Sequence, residues 1–215
     1  MKSLALPLLA VAAIAHADER TFWKVDPGPA QHPIQTAVAA ERVGEGRSIV
    51  IYREKGYVFS AGGADEERAQ VESAIAAFDE VIYPRQVALF GPCPDLDGNG
   101  KVIVLLTALS HGEGHYFRLD GMREAEALAH GFHSNQAEIV YLAFRGQGNR
   151  AAANLAVLAR VFHELLHTAR DPAETSWAAV VGRHAAFSCG VAPARLLGGE
   201  DDPLAAAPSP GDPWS

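Results

Sequence analysis

The chain has 215 residues, with 26 Asp+Glu against 18 Lys+Arg and a formal net charge of −8. That length suits one domain with a real core. The acidic balance excludes a broad phosphate-binding surface, so no nucleic-acid partner is expected. Two cysteines exclude a disulfide-dense scaffold or a four-cysteine zinc module.

Residues 1–17 read as a signal peptide. Lys2 supplies a positive start, Leu4 to Ile14 a short apolar run, and Ala15-His16-Ala17 a small-x-small cleavage pattern. The run is too short to span a bilayer, and no later segment reaches the length needed. The expected protein is secreted or periplasmic, cleaved after Ala17, with no stable membrane anchor. In such a compartment Cys93 and Cys189 are expected to pair.

Residues 18–33 read mostly as loop, with a possible strand at 21–25. Residues 35–42 and 47–54 read as strands; Ser48-Ile49-Val50-Ile51-Tyr52 is β-branched and aromatic. Gly44-Glu45-Gly46 marks the turn between them. Residues 64–82 read as an amphipathic helix, because Val71, Ile75, Phe78 and Ile82 recur at helical spacing. Pro84 should interrupt it.

Residues 101–107 form an apolar run that fits a buried strand, and 138–142 another. Between them lies a Gly/His-rich connection, 109–136. Residues 151–168 read as a strong helix and 174–187 as a further one. Strands mostly precede helices, which favours an α+β domain over regular alternation. The last 26 residues, 190–215, hold 14 Ala, Pro or Gly and are expected to form a disordered tail. The expected organisation is therefore a leader (1–17), one domain (18–189) and a tail (190–215).

The segment that carries chemistry is Val161-Phe162-His163-Glu164-Leu165-Leu166-His167, an H-E-x-x-H pattern inside a helix. Residues four apart lie on one helix face, so both imidazoles can reach one ion. His163 and His167 are the expected Zn²⁺ ligands. Glu164 is the expected base, accepting a proton from metal-bound water that would then attack a peptide carbonyl. A third ligand is required. The metzincin position holds Ala173, and the W-x-x-E-G pattern that starts at Trp177 has Val180 where its glutamate should be. His184, one turn beyond Val180 on the same face, is preferred over Glu174 as the substitute.

Several stretches then point the same way. Phe78-Asp79-Glu80-Val81-Ile82-Tyr83-Pro84 and Phe90-Gly91 lead to the run from Asp95 to Leu106. Tyr116-Phe117, Ser134-Asn135, Glu138-Ile139-Val140-Tyr141-Leu142 and the His163–His167 helix follow. In this order the chain resembles the hyicolysin-type secreted zinc metallopeptidases over residues 66 to 177. The resemblance implies a zincin-like fold, a mixed β-sheet packed on the active-site helix. It implies Zn²⁺ as cofactor and extracellular hydrolysis of a protein or peptide substrate. The alternative is a zincin-like protein that is inactive or truncated after Trp177 and lacks the usual glutamate ligand.

Two further patterns remain. Asp95, Asp97, Asn99 and Gly100 match the first positions of a Ca²⁺ loop, but the twelfth position is Leu106 rather than a bidentate Glu. The segment is therefore read as an Asp/Gly/Asn turn feeding a strand. His111, His115, His130 and His133 crowd the 109–136 connection, with Tyr116 beside them; they are read as a polar surface loop.

Overall fold

A computed structural model of the protein describes residues 18–26, 33–110, 112–144 and 150–168. The expected leader, the 174–187 helix, Glu174, His184, Cys189 and the tail lie outside the described residues.

The described chain is an α+β fold built on one mixed six-stranded sheet, ordered β1-β2-β3-β4-β6-β5. The strands are β1 (Glu19–Asp26), β2 (Ile34–Glu45), β3 (Ile49–Glu54), β4 (Val102–Leu106), β5 (Gly114–Tyr116) and β6 (Ile139–Leu142). The first three form an antiparallel meander. Strand β4 then pairs parallel to β3 and β6 parallel to β4, while β5 closes the far side antiparallel to β6. Every residue of β4 and β6 is buried, as expected of strands covered on both faces.

Four α-helices accompany the sheet: α1 (Ala64–Ala77), α2 (Tyr83–Phe90), α3 (Glu124–Ala129) and α4 (Arg150–Thr168). The expected 64–82 helix and its stop at Pro84 are both modified. A π-helical turn, Phe78–Ile82, follows α1, and α2 continues directly with Pro84 near its start. The π-helical turn just before Pro84 widens the path there, so the helix runs on although the proline donates no hydrogen bond. The 109–136 connection is also more ordered than expected. It carries β5, a 3-10 turn at Arg118–Gly121 and α3.

Alternate residues of the central strands feed two cores. Ile49, Ile51, Val102, Val104, Leu106, Val140 and Leu142 pack under α1 and α4 against Phe78 and Phe162. Val50, Tyr52, Ile103, Leu105, Ile139 and Tyr141 face the other way and meet Phe22 and Val38 from the meander. Helix α1 comes close to the sheet at Gly44, where a β-bulge shifts the β2–β3 register. A Cβ on Gly44 would lie 2.6 Å from Val71 and 2.7 Å from Ile75.

The sheet curls so that β1 reaches the connection before β6. The Asn135 amide acts there as a surrogate backbone: its Oδ1 accepts the Trp23 N–H at 2.8 Å and its Nδ2 donates to the Trp23 carbonyl at 2.9 Å. The Tyr141 hydroxyl donates to the buried carboxylate of Asp120 at 2.7 Å, and His133 stacks on the Trp23 ring at 3.8 Å.

One part of the expected fold is corrected. The sheet is mixed and the class is α+β, but the zincin-like assignment does not stand. Among the described residues the group able to supply three metal-ligating side chains is Asp95, Asp97 and Glu138. It contains no histidine and is not on α4.

Candidate cation site and the histidine helix

The segment after α2 leads through Asp95-Leu96-Asp97-Gly98-Asn99-Gly100 into β4. Its side chains fold back on its own backbone. Asp95 accepts the Gly100 N–H at 3.0 Å, Asp97 the Asn99 N–H at 3.2 Å, and Asn99 the Lys101 N–H at 2.6 Å. Gly98 and Gly100 take positive φ, which the tight loop needs and other residues resist.

Glu138, immediately before β6, reaches into this loop and accepts the Leu96 N–H with both carboxylate oxygens, at 2.9 and 3.1 Å. The ligand atoms of Asp95, Asp97 and Glu138 lie within 4.8 Å of one another, the two aspartates exposed and the glutamate buried. Arg20 of β1 stands 3.6 Å from Asp97. Burial raises the Glu138 carboxyl above the ordinary range, and the neighbouring Asp97 and Asp95 add to the effect. Three carboxylates at this spacing repel one another unless a cation sits among them. The cluster can hold a divalent metal ion.

The segment is the turn feeding β4 that its sequence suggests, and Glu138 adds a third carboxylate to it. The loop's own twelfth position is Leu106, but parallel pairing of β4 with β6 brings Glu138 to the site from elsewhere in the chain. Only that pairing makes Glu138 a partner; sequence spacing carries no signal of it.

Helix α4 holds His163, Glu164 and His167 in one turn against β5 and β6. The two imidazole rings are 5.9 Å apart, and His163 packs edge-on against Phe90 at 4.4 Å. His163 is fully buried, and desolvation, aided by the neighbouring His167, pushes its pKa down to about 4. Among the described residues, neither ring nitrogen of His163 nor Nδ1 of His167 has a hydrogen-bond partner.

Glu164 is engaged elsewhere. It forms an ion pair with Arg160, and the Tyr116 amide also lowers its pKa, although desolvation raises it overall. Arg160 in turn donates to the Gly114 carbonyl at 2.9 Å. The Glu113 carbonyl bonds back to Ala143 of the neighbouring chain segment, so Gly114 and Tyr116 direct their backbone groups outward from the sheet. Two side chains of α4 thus occupy the outer edge of β5.

The expected enzyme is corrected on these grounds. A catalytic zinc centre requires three protein ligands. His163 and His167 supply two, and no third His, Cys, Asp or Glu of the described residues joins them. The expected third ligand, His184, lies outside the described residues. The resemblance to hyicolysin-type peptidases, zinc endopeptidase activity and peptide-bond hydrolysis are therefore not supported. Nor is the alternative of an inactive or truncated zincin-like protein, which presumes the same fold.

Of the other polar residues singled out, His115 is not a surface residue. It stacks on Tyr141 at 4.9 Å, and burial pushes its pKa down to about 4. His133 pairs through Nδ1 with Glu124 at 2.6 Å. Cys93 borders the α1/α4 core, and burial pushes its thiol up to about 12; its pairing with Cys189 lies outside the described residues. No described helix is long and apolar enough to cross a membrane. No family model matches the chain, and no curated protein matches it in sequence.

Proposed function

We propose that the protein is an exported divalent-cation-binding protein whose principal site takes Ca²⁺ at Asp95, Asp97 and Glu138. The observation that carries this reading is the convergence of three carboxylates from two separate segments within 4.8 Å. Hard oxygen donors suit Ca²⁺ better than Zn²⁺. Few protein ligands imply modest affinity, which fits the millimolar Ca²⁺ of an extracellular setting and the leader-like residues 1–17. Titration of the metal-free protein with Ca²⁺ by calorimetry, and with Tb³⁺ by luminescence, tests it. One saturable site that Asp95→Asn and Glu138→Gln each weaken supports the reading. No saturable binding up to 10-millimolar order refutes it.

A second reading rests on a separate observation: both ring nitrogens of His163 and Nδ1 of His167 are buried with no hydrogen-bond partner among the described residues. Burying imidazoles without partners is costly, and a borderline cation relieves that cost. We propose that Zn²⁺ binds there, with His184 as the expected third ligand. Metal analysis after dialysis against Zn²⁺ decides it: one equivalent lost in both His163→Ala and His167→Ala supports the site. Retention of that equivalent in either variant rejects it.

A further inference from the structure

Among the clefts on the described surface, one of about 300 Å³ lies between the meander and α1, and its Arg42, Arg53 and Arg68 are all paired with carboxylates. A second cleft, of about 220 Å³, is lined by Pro94, Leu96, Tyr116, Arg118, Gly121 and Met122, with Thr168 of α4 at its side.

The second cleft differs in its chemistry. Among the described residues Arg118 has no carboxylate partner. The nearest acid in its own 3-10 turn, Asp120, is spent inward on Tyr141 and Asn135. The Tyr116 hydroxyl likewise has no hydrogen-bond partner among the described residues, and it borders the same space. Leu96, which lines the same cleft, stays 48 % exposed, an apolar side chain left open to solvent. Gly121 forms part of the lining: a Cβ there would lie 3.3 Å from both the Leu96 methyl and the Tyr116 hydroxyl.

We propose that this cleft binds a small carboxylate with a short branched apolar body. The guanidinium of Arg118 and the hydroxyl of Tyr116 would hold the carboxylate, and Leu96, Met122 and Pro94 would cover the hydrocarbon. A guanidinium fork matches a carboxylate. The volume lies below the usual range of small-molecule pockets, roughly 300–1,000 Å³, and so limits the ligand to a few carbons beyond its charge. A chain of net charge −8 repels anions at large, so the attraction has to be local. The inference goes beyond the cation reading and does not rest on it.

The test is a titration of the full chain with 4-methylpentanoate, followed by amide chemical shifts, with neutral 4-methylpentanamide as the comparison. Saturable shifts are expected at Leu96, Tyr116, Gly121 and Met122, with the amide about tenfold weaker. Arg118→Gln should weaken the carboxylate by a similar factor, leave the amide unchanged and preserve the dispersion of core amides. Gly121→Val should block both ligands. Equal affinity for acid and amide, an unaffected Arg118→Gln protein, or no saturable shifts at these positions would overturn the proposal. If Gly121→Val does not fold, the acid–amide comparison and Arg118→Gln still decide it.

Discussion

Replacing Glu138 by Gln should change stability in opposite directions with and without Ca²⁺. The glutamine keeps the size of the side chain and an oxygen for the Leu96 N–H, and removes only charge. In the native cluster the ligand atoms lie within 4.8 Å. At that spacing two unit charges repel by about 1 kcal/mol in a water-like dielectric and by about 3 kcal/mol at an effective constant near 20. Asp95 and Asp97 are exposed, so the lower figure applies, and solvent screening reduces it further. Relief of two such repulsions gives about 1–2 kcal/mol. For a domain of this size that is a rise of roughly 2–8 °C in Tm for the metal-free variant. Ca²⁺ at a hundred times Kd stabilises the wild type by about 2.7 kcal/mol, and the variant should lose most of that gain. Differential scanning calorimetry in chelated and Ca²⁺-supplemented buffer reads both effects. A metal-free variant that melts below the wild type, with an undiminished Ca²⁺ shift, would show that Glu138 serves only to hold Leu96.

Two other perturbations probe the scaffold. Burial raises the Asp120 carboxyl to about 7, against the hydrogen bonds from Tyr141 and Asn135. A folded pKa above the unfolded value contributes stability that is present below pH 4 and lost as pH rises through 7, by up to about 4 kcal/mol. Buried His115 and His163 titrate in an overlapping window with the opposite sign, so the informative quantity is wild type minus Asp120→Asn. That difference, from urea unfolding, should fall between pH 4 and pH 7; a flat difference would refute the assignment. Gly44→Val should cost about 1–3 kcal/mol by overpacking against Val71 and Ile75. Chemical denaturation checks this, and a neutral result would mean that α1 shifts away from the bulge without penalty.

The central strands were legible because they are buried on both faces. Val102–Leu106 and Ile139–Leu142 are unbroken apolar runs, and no helix of useful length fits between their flanking turns. Strand β5 was not legible. Gly114, His115 and Tyr116 carry no periodic pattern and are ordered by pairing with β6 and by α4. Pro84 misled for a local reason: a π-turn just before it changes the helical path, which lets the chain continue as helix past the proline. The site divides in the same way. Asp95 and Asp97 stand out as a loop pattern, whereas Glu138 becomes their partner only through the β4–β6 register. The H-E-x-x-H pattern was fully legible as a helical face, but the third ligand a zinc enzyme requires depends on tertiary placement, which spacing alone does not supply.

The placement of Arg160 and Glu164 has a consequence for how the molecule behaves among its own copies. An outermost strand with free amides and carbonyls is a template on which another chain can grow a sheet. Here the outward carbonyl of Gly114 is taken by Arg160, and the outward amide of Tyr116 faces Glu164. A charged pair of helical side chains thus stands where a neighbouring strand would have to dock. Any sheet-to-sheet association on that side must first break an ion pair and strip two charges of their partners. Helix α4 thereby keeps the β5 side of a strongly apolar sheet closed to polymerisation.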